Sequence, residues 1–254
     1  SYCFVSNLVE LISGYKVFEF NEVDSTMLTL KELALSGCDI NTAVWAKKQN
    51  SGRGRHGREW SSPEGNLYIS FLREAEDKKN QNIFAPVFIV AIAIANSIKD
   101  LSFNNLLPSI KWPNDILINK SKIAGILIEN IHLLDNSNVL NIGFGINIVS
   151  NPTNTLYPST NLNVQGVNTN SKDVIKIFFK NLKILEEIYI RKGINEIYKM
   201  WGLLAHKIGE PISVKIGEKK IFGNFNGLNK DGGLLILDDT GIEKVVMAGD
   251  VFLL

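Results

Sequence analysis

The sequence predicts an α+β fold: a mixed or antiparallel sheet with packed helices, followed by a small β-barrel. Three observations carry this. Strand-like and helix-like stretches follow one another without the strict βαβ alternation of a doubly wound sheet. Hydrophobic residues make up 45% of the 254, enough for a large core. After Gly209 the texture changes to short alternating runs divided by Gly, Asn and Asp turns, as in a small antiparallel barrel. A boundary near residue 208 follows, giving a main domain over 1–208 and a small one over 209–254.

Residues 4–13 read as a short helix, and KVFEF (16–20) alternates as a strand. Ser25 and Thr26 precede a stretch whose leucines, at 28, 30, 33 and 35, are spaced roughly helically, and Gly37 is a suitable stop. The pair therefore sits at a helix N-terminus, where a plain N-cap is the simplest reading. TAVWAKK (42–48) and LYISFLR (67–73) are strands flanking a long loop, and 74–82 is charged and loop-like. Residues 83–101 form an apolar helix. SIKW, ILI, KIAGILIENI and VLNIGFGINI, between 109 and 148, are strands joined by tight turns. Residues 149–170, rich in Asn, Thr and Pro, read as an irregular surface loop. A long amphipathic helix runs from Ser171 to a stop at Gly193, and a second covers about 194–204.

Composition removes several classes. The net charge of +1 argues against a protein that holds duplex DNA by counterion release. The apolar run 83–98 is shorter than the ~20 residues of a membrane span and carries Pro86, Asn96 and Ser97. Cys3 and Cys38 lie far apart without zinc-like spacing, which fits a reduced cytoplasm.

Four stretches stand out chemically. In QNSGRGRHGREW (49–60), glycines let backbone N–H groups approach an anion, and Arg53, Arg55 and Arg58 offer forks to phosphate. It is neither a Walker A loop nor a dinucleotide fingerprint. A solvated loop is the bland alternative, and Trp60 either stacks on a base or packs. In IKWPNDILI, Lys111 places a cation at the edge of the core. Asn114 and Asp115 are ordinary turn residues, or groups for a phosphate, ribose or metal ion. In KIAGILIE, Lys122 begins an apolar strand and Gly125 marks a close approach. In IGFGIN, Gly143, Gly145 and Asn147 share one face, which leaves either a slot or tight helix packing. An apolar slot, an Arg/Gly loop and two lysines together suit joining an anionic small molecule to a nucleotide phosphate.

The ordered set DST, Q…GRGRHGR.W, KWPND, K.AGIL.E and G.GIN, followed by a small barrel, resembles the biotin–protein ligases (biotin–acetyl-CoA-carboxylase synthetases) from about residue 16 onward. The resemblance implies a class II synthetase-like ligase domain with an SH3-like barrel. It implies ATP, Mg²⁺ and biotin as reactants, biotinyl-5′-AMP as intermediate and a biotin carboxyl carrier protein or domain as acceptor. No covalent enzyme intermediate is implied. Ser25, Thr26, Gln49 and Gly52–Arg53 would bind biotin, whose slot Gly125, Gly143 and Gly145 would line. Lys122 would be the central catalytic cation, also touching biotin, with Arg53 and Arg55 as further catalytic residues. Arg55, Arg58, Trp60, Lys111, Asn114, Asp115 and Asn147 would serve ATP, and Asp115 the metal. His56 would be a solvated spacer, and the Phe144 side chain would point away from the slot. No winged-helix domain precedes the motifs, so a monofunctional enzyme without operator binding is expected. An exposed sheet edge would support a homodimer. The Arg/Gly loop is expected to be disordered or differently shaped without ligand. A lipoate or octanoyl ligase is the nearest rival; an RNA- or phosphate-binding module is the rival from another class.

Overall fold

The computed structural model describes residues 7–75 and 84–254. Cys3 and most of the charged stretch 74–82 lie outside the described residues. The larger sheet has eight strands: β1 (Asn7–Ile12), β2 (Tyr15–Val23), β3 (Thr42–Gln49), β4 (Leu67–Glu74), β5 (Ser109–Lys111), β6 (Asp115–Ile118), β7 (Ser121–His132) and β8 (Asn138–Ile146). Their spatial order is β1-β2-β3-β4-β8-β7-β6-β5. Only β2 and β3 run parallel; the other neighbours are antiparallel. The sheet is therefore mixed, with β1 and β5 at its edges.

Side-chain alternation divides this sheet into two faces. Ala43, Phe71, Ile142 and Phe144 point into the large core, beneath α2 (Ala85–Leu101), α3 (Ser171–Lys192) and α4 (Ile194–Leu204). Val44, Leu72 and Val139 point the other way and pack with Leu30 and Ala34 of α1 (Thr26–Leu35). The first eleven residues of α2 are all apolar, which suits a helix packed among α3, α4 and the sheet. Among the described residues no helix is long and apolar enough to cross a membrane. Asn170 starts α3 as expected of a cap, its side chain accepting the Asp173 N–H at 3.0 Å.

The small C-terminal unit is antiparallel throughout: β9 (Pro211–Ile216), β10 (Lys219–Leu228), β11 (Leu234–Leu237), β12 (Glu243–Val246) and β13 (Asp250–Leu253), in the order β12-β11-β10-β9-β13. It shares the main core through Ile212, Phe225 and Val251. The Trp112 indole donates to the Gly232 carbonyl at 3.1 Å, and the Trp112 backbone N–H donates to His206 Nε2 at 3.1 Å.

Two expectations are corrected. Of the helix expected over 4–13, residues 4–6 lie outside the described residues, and Asn7–Ile12 form the edge strand β1, whose Glu10 pairs with Val17 of β2. Pairing with a neighbouring strand overrode a weak local pattern. Residues 149–170 are irregular but not merely superficial: Leu162 is fully buried, and Thr160 and Asn161 are nearly so. Their polar side chains bond to one another, Asn161 donating to Asn151 and Asn151 to Ser159, which lets an irregular segment enter the interior.

Candidate active site

One row of paired residues crosses the face opposite α2. Lys111 of β5 pairs with Asp115 of β6, Asp115 with Gly125 of β7, Gly125 with Gly145 of β8, and Gly145 with Tyr68 of β4. Directly paired residues share a face, so the row begins in charge and continues over two glycines. Above it lies a cavity of about 500 Å³. The intervening Phe144 points to the other face and packs on Phe178, ring centroids 4.4 Å apart, as expected.

The charged end is built on Asp115. Lys122 approaches one carboxylate oxygen at 2.8 Å, and Lys111 the other at 3.3 Å. Burial opposes ionisation of Asp115, but the Lys122 and Lys111 ammoniums outweigh it and hold its carboxyl below the usual range. Burial also draws Lys111 below the usual lysine value, against the pull of Asp115. The Tyr157 ring covers the Lys111 ammonium at 3.4 Å. Residues 158–160 are stitched to the start of β7, with Lys122 N–H donating to the Pro158 carbonyl at 2.7 Å and Thr160 N–H to the Lys122 carbonyl at 2.9 Å.

The Arg/Gly loop closes over this end as a small hairpin. Trp60 N–H donates to the Gly52 carbonyl at 2.9 Å and Gly54 N–H to the Arg58 carbonyl at 2.7 Å, with a 3-10 turn over Arg55–Gly57 at the tip. Gly52 is required by space, because a Cβ there would lie 2.3 Å from the Trp60 carbonyl oxygen. Arg55 is largely buried and donates to Asn114 Oδ1 at 3.0 Å, the Gly249 carbonyl at 2.6 Å and Asp250 Oδ1 at 2.9 Å. Arg58 forks onto the same Asp250 carboxylate at 3.0 and 3.1 Å. Burial works against the Asp250 charge, yet Arg58 and Arg55 keep its carboxyl below the usual range. Arg53 points outward to Glu129 at 2.8 Å, a surface pair worth about 0–1 kcal/mol. His56 is exposed at a backbone φ of 57°. The loop is held by these contacts within the chain, chiefly to Asp250 and Gly249 of the C-terminal unit.

The uncharged end is built on the start of α1. The residue at the N-cap position, Ser25, makes no capping bond. Gln49 does that work: its Oε1 accepts the Thr26 backbone N–H at 2.9 Å, while its Nε2 donates to Ser62 at 2.9 Å. The plain N-cap reading of Ser25 is thus corrected. The Thr26 and Ser70 hydroxyls share a hydrogen bond at 2.7 Å. Met27 lies over Gly143, where a Cβ would meet its sulfur at 2.3 Å. Trp60 lies over Gly145, where a Cβ would meet its Nε1 at 2.6 Å, and it also covers Gly125 at 3.0 Å. The slot expected beside these glycines is thus floored by the protein's own Met27 and Trp60.

All the sequence-derived site residues except Gly52 and Lys111 line the cavity, and those two adjoin it through Trp60 and Asp115. Several face protein partners. Asn114 donates to the Ile126 carbonyl at 2.7 Å while accepting from Arg55, so it braces the loop. Asn147 donates to the Thr160 carbonyl at 3.0 Å. Both Asp115 oxygens are held by ammonium groups, so the carboxylate does not fit the metal-ligand role expected of it. No cluster of three or more His, Cys, Asp or Glu suited to a metal occurs among the described residues. The sequence reading missed Asp250, which carries no local signal, and Tyr157, a lone aromatic in a polar loop. Ser25 Oγ, Trp60 Nε1 and the Tyr157 hydroxyl are buried without a hydrogen-bond partner, and all three residues line the cavity. Buried polar atoms are normally paired, so these three are groups that a polar ligand in the cavity would satisfy.

Residues 18–147 match the model of the biotin/lipoate A/B protein ligase family, and 207–254 match the biotin protein ligase C terminal domain. The chain is 31% identical over 246 residues to the bifunctional ligase/repressor BirA of Escherichia coli (strain K12), covering 95% of this chain and 75% of that protein. It is 28% identical to the biotin--[acetyl-CoA-carboxylase] ligase of Paracoccus denitrificans, covering 90% and 97%. The structure is similar to biotin protein ligase from Aquifex aeolicus in complex with biotin and ATP, with a TM-score of 0.80, 29% identity and coverage of 94% and 98%.

Proposed function

Because this chain belongs to the biotin/lipoate A/B protein ligase family, we propose that its cavity joins biotin to ATP as biotinyl-5′-AMP and hands the biotinyl group to a lysine of a biotin carboxyl carrier protein. The observation that carries this reading is the division of one cavity. Lys111, Asp115 and Lys122 stand at one end, uncharged donors at the other, and orphaned polar atoms line both. The C-terminal match to biotin protein ligases favours biotin over lipoate.

In the first step a biotin carboxylate oxygen bonds to the α-phosphorus of ATP, and the bond to the β-phosphate oxygen breaks, releasing pyrophosphate. Two anions must meet, so positive charge at their junction is the main requirement. Lys122 supplies it as the central catalytic cation, held by Asp115, with Lys111 behind on the phosphate side. Arg55 and Arg58 retain the adenylate from above, while Arg53 fastens the loop to β7 through Glu129. In the second step the carrier's neutral lysine amine attacks the acyl carbon, the acyl–oxygen bond to AMP breaks, and the proton shed by the nitrogen passes to the departing AMP or to water. Closing the loop over the mixed anhydride keeps water from it.

Ser25 is the donor for the biotin ring. Gln49 and Gly52 act by positioning α1 and the hairpin, and Gly125, Gly143 and Gly145 set the depth of the slot. Trp60 faces both reactants. Asn114 and Asn147 support the nucleotide end by bracing Arg55 and Thr160. Mg²⁺ would be held by the ATP phosphates themselves and would supply charge neutralisation there, with Asp115 left to the two lysines. The ligase domain spans 1–208, and the unit at 209–254 completes the site by contributing Asp250. The reaction and free Cys38 suit the cytoplasm, and a homodimer would use sheet edge β1 or β5.

The test is direct: incubate the protein with biotin, MgATP and an apo carrier domain, then weigh the carrier. One biotin added to one lysine is expected. A gain with lipoate or octanoate but none with biotin would overturn the reading.

A further inference from the structure

The segment at 149–166 contributes one aromatic residue to the charged end of the cavity, Tyr157, whose surroundings are unusual for a loop tyrosine. One face of its ring covers the Lys111 ammonium at 3.4 Å. The ring also packs on Phe252 of β13, centroids 5.0 Å apart at 39°. The chain on its C-terminal side is fixed to β7 by the Pro158 and Thr160 bonds to Lys122. A ring held by a main-domain cation, a C-terminal aromatic and two backbone bonds has little freedom. Its hydroxyl is nonetheless buried without a partner, in a residue lining the cavity. Lys111, packed on the ring, cannot accept a hydrogen bond, because an ammonium only donates.

We propose that the Tyr157 hydroxyl is a hydrogen-bond donor to a phosphate oxygen of ATP, aimed by the Lys111–Tyr157–Phe252 stack. This rests on the ligase reading above. Burial, together with the nearby Asp250 and Asp115 carboxylates, raises the phenol far above neutrality, so it keeps its proton at working pH. The charged groups around it are Arg55, Arg58, Asp115 and Asp250, the set that marks the nucleotide end. A phenol is suited to this position: it adds a donor without a third full charge beside Lys111 and Lys122. The stack also gives the C-terminal unit a task. Through Phe252, its seating on the main domain sets where the hydroxyl points.

The experiment measures steady-state adenylation by full-length wild type, Tyr157→Phe and Phe252→Ala, varying MgATP and biotin separately. Tyr157→Phe keeps the ring, its cation contact and its packing, and deletes only the donor. Its KM for MgATP should rise about tenfold, the loss expected of one charge-assisted bond, with the KM for biotin unchanged. Phe252→Ala should raise the MgATP KM in the same direction, because the hydroxyl loses its aim. An unchanged MgATP KM in Tyr157→Phe overturns the proposal, as does an equal rise in both KM values, which would mean a general structural effect. Wild type unable to form biotinyl-AMP would instead overturn the ligase reading itself.

Discussion

Lys122 and Asp115 meet at 2.8 Å on neighbouring strands, and the far oxygen of the same carboxylate takes Lys111. A single buried anion therefore organises both cations of the proposed junction. Lys122→Ala should lower adenylate formation by roughly 10²–10³-fold, as deletion of a preorganised charge-stabilising group does, while leaving the fold intact. Pyrophosphate release with a far-ultraviolet spectrum as the control measures this. Near-normal release would remove Lys122 from its role.

Asp115→Asn leaves two ammonium groups without their counter-charge, one of them on the buried Lys111. Activity should fall as far as in Lys122→Ala, and stability should fall as well. The folded carboxyl lies below its ordinary value, so its contribution is fully present above the unfolded value of about 4. It is lost as pH falls through the lower folded value. The stability gap between wild type and Asp115→Asn should accordingly be widest near neutral pH and shrink below about pH 4. Urea midpoints over that range measure it, and a gap independent of pH would contradict the assignment.

The start of α1 separates structure from binding in adjacent residues. Gln49 caps the helix through Thr26 N–H, so Gln49→Ala should cost about 0.5–2 kcal/mol of stability, the usual loss of a cap. Ser25 makes no cap bond, and its buried hydroxyl lacks a partner. Ser25→Ala should leave the urea midpoint nearly unchanged while raising the KM for biotin. The reverse pattern would restore Ser25 as an ordinary cap.

Arg55 and Arg58 share one carboxylate in another part of the chain. Arg55→Gly and Asp250→Asn should both loosen the loop and let biotinyl-AMP escape into solution, seen by chromatography of the filtrate. Because Arg55 and Asp250 share one ion pair, the double variant should leak less than the two single effects combined. Additive leakage would show that they act independently.

Gly52→Ala places a methyl group 2.3 Å from the Trp60 carbonyl oxygen, a backbone atom that moves only with the hairpin. The hairpin should open, and trypsin should cut at Arg53, Arg55 and Arg58 much faster than in wild type. At Gly57 a Cβ meets nothing within 4 Å, and the strain comes only from the φ of +72°. Gly57→Ala should be milder, by about 1 kcal/mol. Equal cleavage of the two would remove the steric explanation.

Strong local periodicity made most of the fold legible in the sequence. The runs at 67–73, 122–131 and 139–148 alternate or stay apolar, and each is a strand where expected. The edge strand β1 was not legible because its partner, β2, decides its conformation. Within the site, Lys111, Lys122 and the glycine row announce themselves by odd residue types in apolar strands. Asp250 does not, because an aspartate after a glycine is ordinary turn chemistry until the fold brings Arg55 and Arg58 to it. The inverted cap was equally hidden: Ser25 has the right residue type and place, but Gln49 of β3 reaches the N–H first. Local spacing shows which groups stand on one strand face, but not which side chains have already been claimed from another element.

Arg55 and Asp250 are 195 positions apart, and this has a consequence for the order of events during synthesis. The sheet, the lysines and the Arg/Gly hairpin leave the ribosome well before the residue that secures the hairpin. An emerging chain can complete the large sheet and still lack the anchor for its loop. On the role proposed for that loop, retention of a reactive mixed anhydride would begin only when the C-terminal strands have been made and seated.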